Sequence, residues 1–181
     1  MSLSVRVIDH ANELFESVRQ LRSRYLGTNP AREDDFERRE QVRDALSYHL
    51  VYLDNDEVVG TLRVTPLGHG LSFVERAVDV QAYFEQSTDA FDANRLVLDE
   101  RYRGGRHLRL FLLQAAIWLK ANTHLRFISA LCRGQLAALY VGLGGRVLVD
   151  DVTWTGEQVE RRYSLVYLEL ESVYLNVKGA N

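Results

Sequence analysis

The sequence predicts an α/β (α+β) fold in one domain, and three observations carry that prediction. Strand-like alternation and helical periodicity take turns along most of the chain. Strand pairs split by polar turns stand towards both ends, which is the mark of hairpins. Between them, residues 94–132 read as strand, glycine turn, long apolar helix and second strand. The length of 181 residues suits a single core.

Leu3 to Ile8 alternates, with Leu3, Val5 and Val7 on one face, and predicts a strand. Leu14, Val18, Leu21 and Tyr25 then recur at helical spacing, giving a helix from about Ala11 to Leu26 that Gly27-Thr28-Asn29-Pro30 ends. Residues Ala31 to Asp44 are mostly charged, with Phe36 and Val42 the clear apolar exceptions. They read as a solvated helix or mobile loop, or as a flap over a substrate. His49 to Leu53 and Glu57 to Val64 form a hairpin across Asp54-Asn55-Asp56. Pro66 to Gly70 closes that unit. A short strand is expected near Leu71 to Val74, a short helix at Val78 to Phe84, and a loop over Gln86 to Ala90. The central run follows. Beyond it, Arg146 to Val149 and Arg161 to Leu170 predict a second hairpin, around a polar turn from Asp150 to Gln158. A frayed tail is expected over Lys178 to Asn181.

Composition narrows the function. Hydrophobic residues make up 46%, which argues against disorder, and a net charge of −3 predicts no nucleic-acid partner. No apolar run is long enough to span a bilayer, and Asp9, His10, Asn12 and Glu13 interrupt any signal-peptide core. A cytoplasmic protein is the default expectation. The single cysteine, Cys132, allows no internal disulfide and reads as a small core residue rather than a nucleophile. The five histidines show no ligand spacing, so no metal site is predicted.

The informative stretch is Ala93 to Gly145. Asn94 to Glu100 is β-rich and apolar, and it breaks at Arg101-Tyr102-Arg103-Gly104-Gly105-Arg106. A helix pattern runs from about His107 to Thr123, then a strand from Phe127 to Cys132, then a short helix ending in Leu139-Tyr140-Val141-Gly142-Leu143-Gly144-Gly145. Two glycines let a backbone approach a ligand closely. The first amides of the next helix lack intrahelical partners and carry partial positive charge. Arg101, Arg103, Arg106 and Arg109 add four full charges. The turn reads as a cradle for Gly104-Gly105 amides and guanidinium groups around a phosphate or pyrophosphate.

This order, with Arg101-x-x-Gly104 and Leu139-Tyr140-x-x-Leu143-Gly144, resembles the acyl-CoA-binding core of the GNAT N-acyltransferase superfamily. Arg106 stands where the usual turn motif has a small residue. The resemblance implies a central mixed, mostly antiparallel twisted sheet flanked by helices. Three further features are similar to the acyl-homoserine-lactone synthases and long-chain N-acyl amino acid synthases: Leu21-Arg22 on a helix, Gly60-Thr61-Leu62-Arg63 in the hairpin, and Asp92-Ala93-Asn94-Arg95 before the cradle. Tyr25 is off register for that branch's aromatic residue, no tryptophan precedes Trp118, and Asp34 and Asp35 are adjacent rather than spaced. The resemblance therefore implies an amine or amino-acid acceptor rather than lactone synthesis. The donor it implies is an acyl-CoA, or an acyl-phosphopantetheine on acyl carrier protein, used as a co-substrate with no permanently bound cofactor. The alternatives are an acetyl-CoA-dependent N-acetyltransferase and a non-catalytic scaffold of the same fold.

In that chemistry the pantetheine arm would lie along Leu96, Val97 and Leu98 as an added strand. Its phosphate would meet Gly104, Gly105, Arg101, Arg103 and Arg106. Tyr140 is the candidate acid towards the leaving sulfur, or else a packed aromatic. Asp92 and Glu100 are the candidate bases, or else structural and surface carboxylates, and water could take the proton instead. Arg63 and Arg95 lie within apolar strands, where a charge must be paired or must meet a ligand. Either could hold an acceptor carboxylate together with Arg22. Otherwise Arg95 pairs with Asp92, and Arg63 with a carboxylate of the charged segment.

Overall fold

Seven strands and six α-helices alternate along residues 3–26, 34–84, 89–154 and 161–178, which the computed structural model describes. β1–β2, β2–β3, β5–β7 and β6–β7 pair antiparallel and β4–β5 parallel. The sheet is thus mixed and mostly antiparallel, with helices flanking it. The chain gathers into two units, Met1–Thr65 with Ala93–Ala115, and Pro66–Asp92 with Ala116–Asn181.

In the first unit, β1 (Leu3–Ile8) pairs with β2 (Tyr48–Asp54) from Leu3↔Asp54 to Ile8↔His49. β2 turns into β3 (Glu57–Pro66) through Asn55 and Asp56, at φ 48° and 69°. Two successive left-handed residues suit the right-handed twist of a hairpin, and Asn and Asp tolerate that conformation best after glycine. α1 (Phe15–Leu26) starts later than its apolar spacing suggests. Asp9 and Asn12 take the amides of Ala11 and Leu14 on their own side chains at 2.9 and 3.0 Å, which holds residues 9–14 in turns. Val18 then packs with Ile8, Val51 and Leu53 in a core flanked by Leu14, Phe15 and Val58. The charged segment forms a helix, α2 (Asp34–Ala45). β4 (Ala90–Leu98) gives its Ala93–Leu98 part to this unit, and α4 (Gly105–Asn122) its first half.

In the second unit, β4 pairs with β5 (Phe127–Cys132) from Ala90↔Phe127 to Asp92↔Ser129. The expected strand at Leu71–Val74 is instead the start of a helix, α3 (Phe73–Ala77). A capping box decides this: Ser72 accepts from the Glu75 amide, and the Glu75 carboxylate accepts from the Ser72 amide. Glu75 also takes the amides of Gly68 and Gly70, at 2.6 and 3.0 Å. The helix expected at Val78–Phe84 shrinks to a 3₁₀ turn at Val80–Ala82. α5 (Gly134–Gly142) precedes β6 (Arg146–Trp154) and β7 (Arg161–Glu169). β6 runs longer than its apolar pattern, because register shifts and a left-handed Asp151 absorb its polar residues. α6 (Leu170–Lys178), which follows β7 without a break, is not foreseen in the sequence. Leu67, Val74, Val80, Phe84, Val152 and Leu165 make the core. The expected turn at 27–30, and parts of the expected loops at 86–90 and 150–158 and of the tail, lie outside the described residues.

Glycines separate packing from openness. A Cβ on Gly145 would stand 2.8 Å from the Tyr140 carbonyl oxygen and 3.1 Å from Leu168 Cβ, whereas one on Gly104 or Gly105 would meet nothing within 4 Å. Gly145→Ala should therefore lose about 1–3 kcal/mol in urea unfolding, by overpacking against backbone. Gly104→Ala should leave the unfolding midpoint within experimental error. Equal losses at both positions would contradict this division.

Candidate functional site

The first unit carries a turn that ends in amides without partners among the described residues. After β4, Asp99 caps a 3₁₀ turn (Glu100–Tyr102) by accepting from the Arg101 amide at 3.1 Å. Leu108 N bonds Gly104 O at 3.2 Å and opens α4. Among the described residues, the amides of Gly104, Gly105, Arg106 and His107 have no partner. Neither glycine has a left-handed φ, so their value lies in the missing side chain rather than in an unusual turn. Arg101 is held by Asp99 and Glu57, with Nε and Nη2 at 3.0 and 2.7 Å. Arg103 donates Nε to Leu98 O at 3.2 Å. Arg106 and Arg109 are exposed, without an ion pair among the described residues. In the strand before them, Leu96 is half-buried while Val97 and Leu98 are buried.

The same unit carries a network of buried charge. Arg63, on β3, is 0% exposed. Its Nε donates to Asn94 Oδ1 at 2.6 Å, Nη1 to Glu40 Oε2 at 3.1 Å and Asp44 Oδ1 at 2.9 Å, and Nη2 to Glu40 Oε1 at 3.3 Å. Burial opposes its charge, but Glu40 and Asp44 outweigh burial and hold the guanidinium above its ordinary pKa. Glu40 also takes Arg95 Nη2 at 2.7 Å and Arg43 Nη1 at 2.7 Å. Burial pushes its carboxyl up, yet Arg63 and Arg95 hold it well below the usual carboxylate range. Arg22, from α1, reaches Asp44 Oδ1 at 3.2 Å, Thr61 Oγ1 at 3.2 Å and His49 Nδ1 at 3.0 Å. Burial lowers its pKa to about 10, so it stays charged at neutral pH.

His49 occupies the centre. Its Nδ1 faces a guanidinium, which can only donate, so the proton sits on Nε2 and goes to Asp44 O at 3.0 Å. Burial, then the charge of Arg22, drops its pKa to about 4. Arg95 has φ 56° within β4, a left-handed arginine in a strand. That bend carries its side chain to Glu40 rather than to the Asp92 pairing considered from the sequence. A cavity of about 670 Å³ opens in front of these groups, lined by Phe15, Arg19, Arg22, Glu40, Asp44 and Arg95 among others. The donors of Arg63, considered for an acceptor carboxylate, are thus spent on Glu40, Asp44 and Asn94. Arg22 and Arg95 reach the cavity wall.

The remaining candidates stand as follows. Glu100 is exposed, and its amide donates to the Tyr25 hydroxyl at 3.2 Å. It lies in the 3₁₀ turn rather than at the strand end. Asp92, in the second unit, is fully buried and accepts the Phe73 amide at 2.8 Å, anchoring the start of α3. Tyr140, on α5, is 5% exposed. Burial, with the charges of Cys132 and Asp92, raises its pKa, so the phenol keeps its proton at neutral pH. Cys132 is a buried thiol pushed up to about 11 by that burial, which suits a core residue. Glu40, Asp44 and His49 were missed as site residues. The signal available was the i, i+4 spacing of Glu40 and Asp44, which puts both carboxylates on one helix face.

No protein-family model and no curated protein matches the sequence. Solved structures do match the fold. FeeM, an N-acyl amino acid synthase from uncultured soil microbes, aligns over 95% of this chain and 92% of its own, with TM-score 0.71 and 12% identity. The CoA-dependent acyl-homoserine lactone synthase MesI aligns over 98% and 94%, with TM-score 0.65 and 15% identity. The GNAT-family acetyltransferase of Streptococcus pneumoniae aligns over 93% and 99%, with TM-score 0.55 and 16% identity. The chain has the GNAT fold, and the acyl-homoserine-lactone and N-acyl amino acid synthases are among its structural neighbours.

The network predicts a pH response. The pKa of His49 falls from 6.5 in an unfolded chain to about 4 in the folded one. As pH drops through that window, the unfolded chain binds a proton that the folded chain refuses, and stability falls, by about 2 kcal/mol at pH 5. Below 4.5, the ordinary value of its carboxyl, Glu40 acts in the same direction. Urea titrations at pH 7 and 5 should show this loss, and His49→Gln should reduce it. An unchanged slope in that variant would assign the acid lability elsewhere.

Proposed function

We propose that the protein is an N-acyltransferase that moves an acyl group from a thioester donor, acyl-CoA or acyl-phosphopantetheine on a carrier protein, to the amine of a small acceptor such as an amino acid. The observation that supports it best is the set of amides from Gly104 to His107 without a partner among the described residues, beside Arg103 and Arg106, on a GNAT fold. Partial positive charge on four amides, with exposed guanidinium groups alongside, suits the phosphate groups of such a donor. The pantetheine arm lies along Leu96–Leu98. The whole chain works as one transferase domain, with the cytoplasm as its expected location.

The cavity beside α1 and α2 is the proposed acceptor site. Its wall is lined by carboxylates, Glu40 and Asp44, and guanidinium groups, Arg22 and Arg95, already paired with one another, so an acceptor's ammonium and carboxylate would bind by sharing those pairs. That pairing suits a zwitterionic acceptor. Arg63 is a positioning residue behind this wall.

The reaction joins the neutral amine to the thioester carbon and expels the thiolate. Orientation of the two reactants supplies most of the acceleration. The proton lost by the amine goes to water or to a carboxylate, with Asp92 and Glu100 as candidates. The proton gained by the sulfur is assigned to Tyr140, whose buried phenol is protonated at neutral pH and is a weaker acid than a free tyrosine because burial disfavours the phenolate.

Incubation with mixed acyl-CoAs, acyl-carrier proteins and amines, read by mass spectrometry, tests the proposal: a new amide is the expected product. Its absence across a broad panel, with no binding of coenzyme A, would falsify the enzyme reading. Arg106→Ala should raise the donor KM about fivefold at low salt, a gap that narrows as salt screens the contact. Tyr140→Phe keeps the ring and removes the proton, and should lower kcat about 100-fold with donor KM unchanged. A normal kcat there removes the acid role.

A further inference from the structure

Tyr25 is the penultimate residue of α1, one turn beyond Arg22. Its hydroxyl donates to Asp99 Oδ2 at 3.2 Å and accepts from the Glu100 amide at 3.2 Å. One phenol oxygen thus ties the first residue of the 3₁₀ turn to the side chain that caps it. The ring has a second task. The Arg103 guanidinium carbon lies 4.4 Å from its centroid. Arg103 also donates Nε to Leu98 O, which fixes the third edge of the guanidinium. Its two terminal nitrogens have no partner among the described residues.

We infer that Tyr25 is a positioning residue for the donor: it fixes Arg103 with its terminal nitrogens free to meet a phosphate, and it pins the turn from which the Gly104–His107 amides project. This rests on the donor reading given above. The physical reason is entropic. An exposed arginine samples many rotamers, and binding must freeze one of them. An aromatic face beneath it and a carbonyl at Nε remove most of that freedom beforehand, and a cation over a ring face is itself favourable. Both holds leave the Nη groups available, so a ligand need not break either one.

The test is calorimetric titration with coenzyme A on the full chain, for wild type, Tyr25→Phe, Tyr25→Leu, Arg103→Ala and the double variant Tyr25→Leu/Arg103→Ala. Arg103→Ala and Tyr25→Leu should each raise the Kd about three- to tenfold. The double variant should be weaker than Arg103→Ala alone by no more than the loss seen in Tyr25→Phe, because the ring acts through that arginine and only the hydroxyl acts through the turn. Tyr25→Phe should lie between wild type and Tyr25→Leu, since the ring stays while the turn loses its hydroxyl. Urea unfolding of each variant separates this from a general loss of fold: a tyrosine that only stabilises α1 would lower the midpoint and leave the Kd in place. Should Arg103→Ala weaken binding while Tyr25→Leu binds as wild type, or should the two losses add in full, the positioning role is wrong and the donor reading stands. Should wild type fail to bind coenzyme A, the donor reading falls and takes the positioning role with it.

Discussion

A guanidinium at 0% exposure is the constraint on which the first unit is built. Arg63 replaces an apolar residue in the middle of a strand whose neighbours Leu62 and Val64 are both buried. A lone cation there would be intolerable, and the fold tolerates it because four acceptor contacts reach it from two directions. Two residues on α2, Glu40 and Asp44, supply the negative charge, and Asn94 on β4 fills the Nε direction. Removing one partner from such a set costs about 3–5 kcal/mol, because the charge stays buried without its mate. That penalty, rather than any net gain from the pairs, makes the arrangement unique. α2 has few apolar residues to dock with, so its carboxylates are what fix it against β3.

The same charges then propagate outward. Asp44 is shared with Arg22, Glu40 with Arg95, and Arg22 leans on the neutral ring of His49. Arg22 comes from α1 and Arg95 from a left-handed position in β4, so both reach the cavity in fixed poses. Like-charged guanidinium groups would repel if left to themselves. Each has a carboxylate between it and Arg63, and His49 accepts without adding positive charge. The depressed pKa of His49 is the electrostatic record of that crowding. A wall made this way is polar and held by many hydrogen bonds, which suits the small charged acceptor proposed for it.

Much of the frame was legible in the sequence, and its failures have physical causes. β1 and β5 match their expected bounds because alternation or a plain apolar run is an unambiguous signal over six residues. Arg63 declared itself as a charge in an apolar strand, and a carboxylate of the charged segment was one of its two expected partners. Which carboxylate could not be read, because two thirds of α2 is charged and no apolar stripe marks its inner face. α3 was misread because Leu71 to Val74 is too short to separate periods of two and 3.6; the Ser72 and Glu75 caps carried the answer. α6 escaped because β7 runs into it without a glycine or proline. The left-handed bend at Arg95 leaves no mark in residue type at all, since arginine has no preference for that conformation. For the site, the glycine turn and its arginines were visible, whereas the contacts that order them reach up to 75 positions along the chain.

Two styles of construction therefore meet on α1. Towards the cavity its residue Arg22 is locked among charges that neutralise one another, so little there is free to move. Towards the turn its residue Tyr25 holds an arginine by its ring face and one edge, leaving the other edge free. On the proposed function, the difference follows from what each side would recognise. A small acceptor brings few atoms and gains little from each, so its site has to be shaped before it arrives. A phosphate-bearing carrier would bring several charged oxygens and a long arm, and would need only an arginine held with one edge free beside backbone amides that lack partners. A chain that reversed the assignment, with a buried network at the turn and loose arginines in the cavity, would spend charge where the ligand already supplies it and lack order where the ligand cannot impose it.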